Sequence, residues 1–436
     1  MSENIARPHH APTPSYAHLV ERLNHTPQGA PPTDALYKIL SVLLNEREAG
    51  LVAQLPIRPF TAEKAARIWK TSLAEAIRTL DELASRAVLL DLDHNGQTTY
   101  VLPPPMAGFF EFSMMRVRDD LDQHLLAELY YQYCTVEEDF MKALIAQGDT
   151  QLGRVFVNEP VLTPEVHVLD YERASEVIRS ATHRGISNCY CRYKLEEAGR
   201  ETGTPQACDA PLDICMTFNG PARSLIKAGF AREIDAAEGL DLLQVAQAHD
   251  LVQFGENVRE GVAFICNCCG CCCEAMIAAR RFAQTRPIHT TNFEPAVEVD
   301  TCTGCGQCVN VCPVEAMTLV SANDPKNTRR KKAWVNLDVC LGCGVCARAC
   351  PTQSINLQSR KARVITPYNS AHRMIMMAIE RGGLENLIFD NQVLWSHQAM
   401  ATLLGVILKL PPIKRTLATE QVKSRYVEAL VKRFAL

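Results

Sequence analysis

At 436 residues and a formal net charge of -4, the chain is too long for one ordinary core and too nearly neutral for its charge to signal nucleic acid as an obligate partner. Roughly two to four compact units are expected. No apolar run reaches the ~18–20 residues that a spanning helix needs, and no apolar stretch follows a basic start at Met1–Ile5, so the nineteen cysteines read as metal ligands in a reducing cytoplasm, not as disulfides.

In chain order, residues 1–32 carry Pro8, Pro12, Pro14, Pro27, Pro31 and Pro32 among polar residues and are expected to be a disordered arm. From Thr33 the spacing turns helical. Leu36, Ile39, Leu40, Leu43 and Leu44 fall on one helix face, Thr61 can cap a helix over Ala62–Trp69, and Ser72 with Glu75 makes a capping box ahead of Ile77, Leu80 and Leu83. Val88-Leu89-Leu90 and Thr98–Leu102 then read as a hairpin turning at Asn95-Gly96. This order resembles the winged helix-turn-helix family over residues 33–106, a resemblance that implies either DNA binding or protein docking. The recognition helix would be Ser72–Arg86, where Glu75, Asp81 and Glu82 oppose Lys70, Arg78 and Arg86. Groove binding needs several cations for phosphates as well as bases, so docking or dimerisation is favoured over DNA.

Pro103-Pro104-Pro105 closes that unit, and a helical linker is expected over 107–180, with one helical stretch from Phe109 to about Gln147 and another helix over Tyr171–Ala181. Cys134, isolated there, reads as a packing thiol. Residues 181–290 form a cysteine-rich unit with ten thiols: Cys189, Cys191, Cys208 and Cys215, a helix over Leu240–Asp250, then Cys266, Cys268, Cys269, Cys271, Cys272 and Cys273. Six cysteines in eight positions would be an oxidation hazard if left free, so a third metal centre is expected, an iron–sulfur cluster or zinc. Neighbouring cysteines cannot all face one ion; Cys191, Cys208 and Cys215 with one of Cys266, Cys268 or Cys269 make the expected set.

The strongest pattern lies at 291–358. Cys302-x2-Cys305-x2-Cys308-x3-Cys312-Pro313 is repeated as Cys340-x2-Cys343-x2-Cys346-x3-Cys350-Pro351. In such a run three close thiolates hold one 4Fe–4S cluster and the fourth crosses to the other. Cys302, Cys305, Cys308 and Cys350 are therefore assigned to one cluster, and Cys340, Cys343, Cys346 and Cys312 to the second. Structural zinc, the alternative, usually takes two separated C-x2–4-C pairs. Gly304, Gly306, Gly342 and Gly344 allow the tight turns, and Ala296–Val299, Ala316–Leu319, Ala333–Asn336 and Ser354–Leu357 read as strands. The segment resembles the bacterial two-cluster ferredoxin fold. A cationic loop, Lys326, Arg329, Arg330, Lys331 and Lys332, joins its halves and could steer an acidic partner.

Residues 359–436 are expected to be helical and basic, with Lys409, Lys414, Arg415, Lys423, Arg425, Lys432 and Arg433 outnumbering Glu420 and Glu428. The twelve histidines form no metal-ligand spacing. As a whole the chain looks like a group of bacterial and archaeal 4Fe–4S dicluster proteins that join a winged-helix-like start, a Tyr-Cys-Arg segment, an Ile-Cys-Asn-Cys-Cys segment and a ferredoxin pair. The upstream field is loosely similar to cysteine-rich sites of heterodisulfide-reductase-type proteins, but lacks their separated Cys-Cys and C-x2-C spacing, so no activity follows from it. The expected class is α+β multidomain. The expected function is cytoplasmic electron transfer through two 4Fe–4S clusters and a third centre to a partner oxidoreductase, with a second copy of the chain as a further partner. The alternatives are a redox-responsive winged-helix regulator and a cluster-fed thiol or disulfide reductase; no general acid or substrate motif supports the latter beyond the cysteines.

Overall fold

The computed structural model describes residues 12–94, 96–145, 148–162, 168–282, 288–325 and 327–389. Lys326, Asn95 of the expected turn, and the basic residues from Lys409 to Arg433 lie outside them.

The first described segment corrects the expectation of a disordered arm. Pro14–Asn24 is a helix, with proline in its first turn and Leu19, Val20 and Leu23 buried. Arg22 fixes it by donating to the carbonyls of Leu55 at 2.9 Å and Pro56 at 2.5 Å. Gln28 is tied both ways to the Met106 backbone, at 2.9 and 2.8 Å. The prolines dominate the composition there, but a stripe of three apolar residues is enough when a preformed core receives it.

Four helices follow, Asp34–Leu43, Glu46–Ala53, Ala62–Trp69 and Leu73–Ser85, where three helical segments were expected. Thr33, Thr61 and Ser72 accept from backbone N–H groups as N-caps. The reciprocal capping box sits at Asn45 and Glu48, because the Glu75 carboxylate is taken by Thr71 and Arg47 instead. Strands β1 (Leu90–His94) and β2 (Gln97–Val101) pair antiparallel, and Tyr100 also bridges to Phe60.

The expected helix from 109 to 147 is broken into pieces. Asp122 caps a new helix, Gln123–Tyr131, and a wider turn at Gln132–Val136 leads to Glu138–Ile145. The breaks let Phe110, Tyr130, Tyr133 and Phe140 converge in one buried aromatic cluster with Cys134 beside it. The expected Tyr171–Ala181 helix spans Ala174–Ser180 after a short 3-10 turn, and the Leu240–Asp250 one spans Ala236–Ala248.

The cysteine-rich region is built on a six-stranded antiparallel sheet of β3 (Gly153–Val155), β4 (Arg184–Asn188), β5 (Asp213–Phe218), β6 (Arg232–Glu233), β7 (Val252–Glu256) and β8 (Phe264–Cys268), in the order β3-β7-β8-β5-β4-β6. Strands β9 (Phe293–Val297) and β12 (Ile355–Ser359) pair antiparallel, as do β10 (Met317–Ser321) and β11 (Lys331–Val335). The class is α+β. Among the described residues no helix is long and apolar enough to cross a membrane.

The helix Ser370–Arg381 bolts the sheet down. Its buried Arg373 donates to Glu256 at 2.8 Å and to the Leu152 carbonyl at 2.8 Å, while Ser370 and the Ala263 N–H donate to the same carboxylate. Removing one partner of such a pair strands the other charge in the interior. Arg373→Met should therefore cost about 3–5 kcal/mol in urea unfolding, well beyond an exposed Arg→Met control; an indistinguishable pair of midpoints would contradict this.

Candidate metal centres

Two loops, 302–308 and 340–346, run with alternating left-handed glycines. Gly304 and Gly342 have φ of +70° and +69°, Gly306 and Gly344 +83° and +85°. A Cβ on Gly304 would lie 2.5 Å from the Lys331 carbonyl oxygen, and one on Gly342 would collide with Phe293 O and Thr291 Oγ1. Both positions thus need glycine twice over, for conformation and for space.

Cys302, Cys305, Cys308 and Cys350 line one small cavity. Cys312 in turn acts on the thiols of Cys340, Cys343 and Cys346. Backbone N–H groups point at the sulfurs: Ala333 at Cys302 (3.4 Å), Ser354 at Cys350 (3.3 Å), Ala316 at Cys312 (3.2 Å) and Gly342 at Cys340 (3.4 Å). Burial pushes the Cys343 thiol up to about 12 and raises those of Cys308, Cys340 and Cys346. At Cys350 burial also raises the thiol, but hydrogen bonds from Thr352 and Ser354 outweigh it and leave it below its usual range. These residues fit 4Fe–4S clusters: sulfur-only donors in fours, inward N–H groups, and a metal charge needed to hold buried thiols as thiolates. Asn158, 1% exposed and hydrogen-bonded through its N–H to Cys343 O at 2.9 Å, adds a buried amide with no side-chain partner among the described residues.

The ten upstream thiols do not form the expected single set. Cys208, Cys269, Cys271 and Cys272 come together, with all four sulfurs within 4.8 Å of one another. Cys191, Cys215, Cys266 and Cys268 fall in a second group with Cys189 and Cys273, on the other side of Arg192. The division follows from β8 ending at Cys268. Cys266 and Cys268 sit on one strand face, while Cys269–Cys272 turn away in the loop. Cys189 and Cys273 are the N-caps of the helices Tyr190–Ala198 and Glu274–Arg281.

Arg192 is buried between the groups and donates to the Pro211 and Asn267 carbonyls at 3.2 and 3.0 Å. Burial alone would lower its pKa, but Cys189, Cys269, Cys208 and Cys215 raise it further than burial lowers it. Sequence reasoning placed no role on Arg192, nor on the buried Lys194–Glu274 ion pair whose lysine lies two residues on in the same helix. The only signal was a charged pair of residues directly behind Cys189-Tyr190-Cys191.

The doubled cysteine run and its glycine-bearing loops form a ferredoxin-like 4Fe–4S module, of a kind that points to iron–sulfur electron transfer. Residues 301–354 match the family described as 4Fe-4S dicluster domain. No curated protein and no solved structure matches the chain.

Gly342→Ala should lower both iron and acid-labile sulfide per chain and bleach part of the visible absorbance, since its Cβ overlaps the Phe293 backbone. Iron content equal to that of the unaltered protein would show that the loop relaxes around a methyl group.

Proposed function

We propose that the chain is an electron-transfer protein with two 4Fe–4S clusters and a third metal centre, delivering electrons to a partner oxidoreductase. Cys302, Cys305, Cys308 and Cys350 would hold one cluster, Cys340, Cys343, Cys346 and Cys312 the second. The observation that carries this is the grouping of Cys350 with the first three cysteines in one cavity, inside a segment that matches the dicluster family. A bound 4Fe–4S cluster supplies reversible one-electron transfer, at a potential set by burial and by hydrogen bonds to its sulfurs. The N–H groups of Ala333, Ser354, Ala316 and Gly342 provide those hydrogen bonds from fixed backbone, which keeps reorganisation small.

The third centre is best placed on Cys208, Cys269, Cys271 and Cys272. Metal–sulfur bonds of about 2.3 Å in a tetrahedron put sulfurs about 3.8 Å apart. The Cys208–Cys269 and Cys271–Cys272 separations are 3.6 and 3.7 Å. That spacing suits one zinc or iron ion, because a cubane places a separate iron under each thiolate and spreads them wider.

The docking face is read on the β10–β11 hairpin. Trp334 is 49% exposed, Lys331 and Arg329 are exposed, Lys332 is half-buried, and the intervening Ala333 N–H reaches Cys302. Arg330 is not part of this face, since it is spent on Asp324 and the carbonyls of Val299 and Asp300. An acidic partner fits here. The winged-helix-like unit is read as a second protein-docking element: Leu73 and Ile77 are 43% and 38% exposed one turn apart on the helix that would read DNA, and Glu75 faces Arg47. Apolar residues at those positions suit a protein surface better than a phosphate backbone.

Anaerobically purified protein should carry about eight irons with equal sulfide in this module. Cys305→Ala or Cys343→Ala should each take iron toward about four and remove one of two interacting EPR signals. Full iron and an unchanged spectrum in both variants would sink the assignment. Separately, Lys331→Glu with Lys332→Glu should slow reduction by an acidic flavoprotein donor several-fold at low salt and leave the rate at high salt nearly unchanged. Equal slowing at both ionic strengths would place the docking face elsewhere.

A further inference from the structure

We infer that the six thiols of Cys189, Cys191, Cys215, Cys266, Cys268 and Cys273 form a further buried site for a polynuclear iron–sulfur cluster, separate from the four-thiol group of Cys208, Cys269, Cys271 and Cys272. The inference concerns residues that the electron-transfer reading leaves without a task, and it does not rest on that reading.

The six are linked in sequence by thiol contacts. Cys266 meets Cys215, Cys215 meets Cys189, Cys189 meets Cys191, and Cys191 meets Cys273. Cys273 then meets Cys268 with sulfurs 3.1 Å apart. Cys268 and Cys266 are two residues apart on β8 and share its face, which closes the ring. The ring is assembled from four places in the chain: the end of β4, strand β5, strand β8 and the start of the Glu274–Arg281 helix. Nothing in local sequence forces such convergence.

All six line one cavity of about 140 Å³ whose exposed wall is mainly apolar, from Met115, Met216, Phe254 and Phe264, and which Cys269 of the four-thiol group, Glu111 and Glu274 also reach. The sulfurs therefore face a space, not only one another. One tetrahedral ion uses four thiolates, so six exceed what a single zinc ion would take. Left free, six adjoining thiols would be prone to oxidation. Three disulfides would need sulfurs at about 2.05 Å, and all six cysteines are free.

Sulfur-only donors select zinc, copper(I) or iron–sulfur clusters. Six thiolates in contact suit a cluster whose thiolates bridge metals, unlike a cubane with one terminal thiolate per iron. Iron–sulfur is the chemistry of the matched dicluster segment, and the sulfide count separates it from a binuclear zinc or copper(I) thiolate site. The surroundings suit the negative charge of such a cluster. The N-termini of Tyr190–Ala198 and Glu274–Arg281 meet at the Cys191–Cys273 contact, each bringing N–H groups and the positive end of a helix dipole. Arg192 and Lys194 lie behind them, the latter balanced by Glu274. Cys191, Cys266, Cys268 and Cys273 also share one apolar core with Cys312, Cys340 and Cys343, so dry packing connects this ring to the ferredoxin-like module.

The test is a count of iron, sulfide and zinc on the full-length protein purified without oxygen, with Cys189→Ser/Cys215→Ser and Cys208→Ser/Cys271→Ser as paired variants. The ring variant should lose iron and sulfide together while the module's EPR signals and about eight irons remain. The four-thiol variant should lose one metal ion and no sulfide. Sulfide in the unaltered protein no greater than its module accounts for would overturn the inference, as would unchanged sulfide in the ring variant. If that variant fails to fold, Mössbauer spectra of unaltered protein grown on 57Fe decide instead: iron sites beyond two cubanes and one mononuclear ion support the ring, and their absence rejects it. Loss of the module's own signals in Cys305→Ala and Cys343→Ala is read separately, so the two assignments can fail independently.

Discussion

The close approach of Gly270 to Pro313 governs how near the two cysteine-bearing parts of the chain can come. A Cβ on Gly270 would lie 2.8 Å from the Cα and the carbonyl oxygen of Pro313, the residue that ends the first ferredoxin-like run. With hydrogen in that place, the Cys269–Cys272 loop lies directly on the module, and Cys268 and Cys273 enter the same apolar core as Cys312 and Cys340. Any larger residue would have to push the loop off the Pro313 backbone. The relation between the upstream thiols and the doubled motif is thus set by one missing methyl group.

Dry packing of so many thiols has an electrostatic cost, since burial opposes their ionisation. The fold answers with fixed positive charge. Arg192 sits between both upstream groups, backbone N–H groups face the module's sulfurs, and two helices begin at Cys189 and Cys273. None of these donors is a flexible surface side chain. Each is held by strand or helix geometry, which fixes where it points.

The module was legible because its ligand spacing is local: four cysteines within eleven positions, twice, with a proline after each. The upstream arrangement was not, because it depends on where β8 ends. Cys266 and Cys268 follow strand alternation while Cys269–Cys272 follow the loop, and periodicity over so short a run does not fix where one gives way to the other. Cys189 and Cys273 were passed over because an N-cap role for cysteine has no composition signal. The Pro14–Asn24 helix was hidden by prolines, and the Ser72 capping box failed because Arg47, distant in sequence, competes for Glu75. Across 33–106 the order of elements was readable apart from the Glu46–Ala53 helix, whereas the breaks after Phe112 and Tyr131 answer to an aromatic cluster that only tertiary packing defines.

The Ser370–Arg381 helix reaches well beyond the sheet, since Arg381 donates to the carbonyls of Ala143 and Leu144 at 3.1 and 2.8 Å and also to that of Pro27. On a ribosome this clasp is made about a hundred residues after Cys273, a delay of roughly 5–20 s at ordinary elongation rates. Through that interval every upstream cysteine already exists while the last element that closes the sheet does not. The upstream thiols therefore stay reachable from solution through that interval, and the lock arrives afterwards.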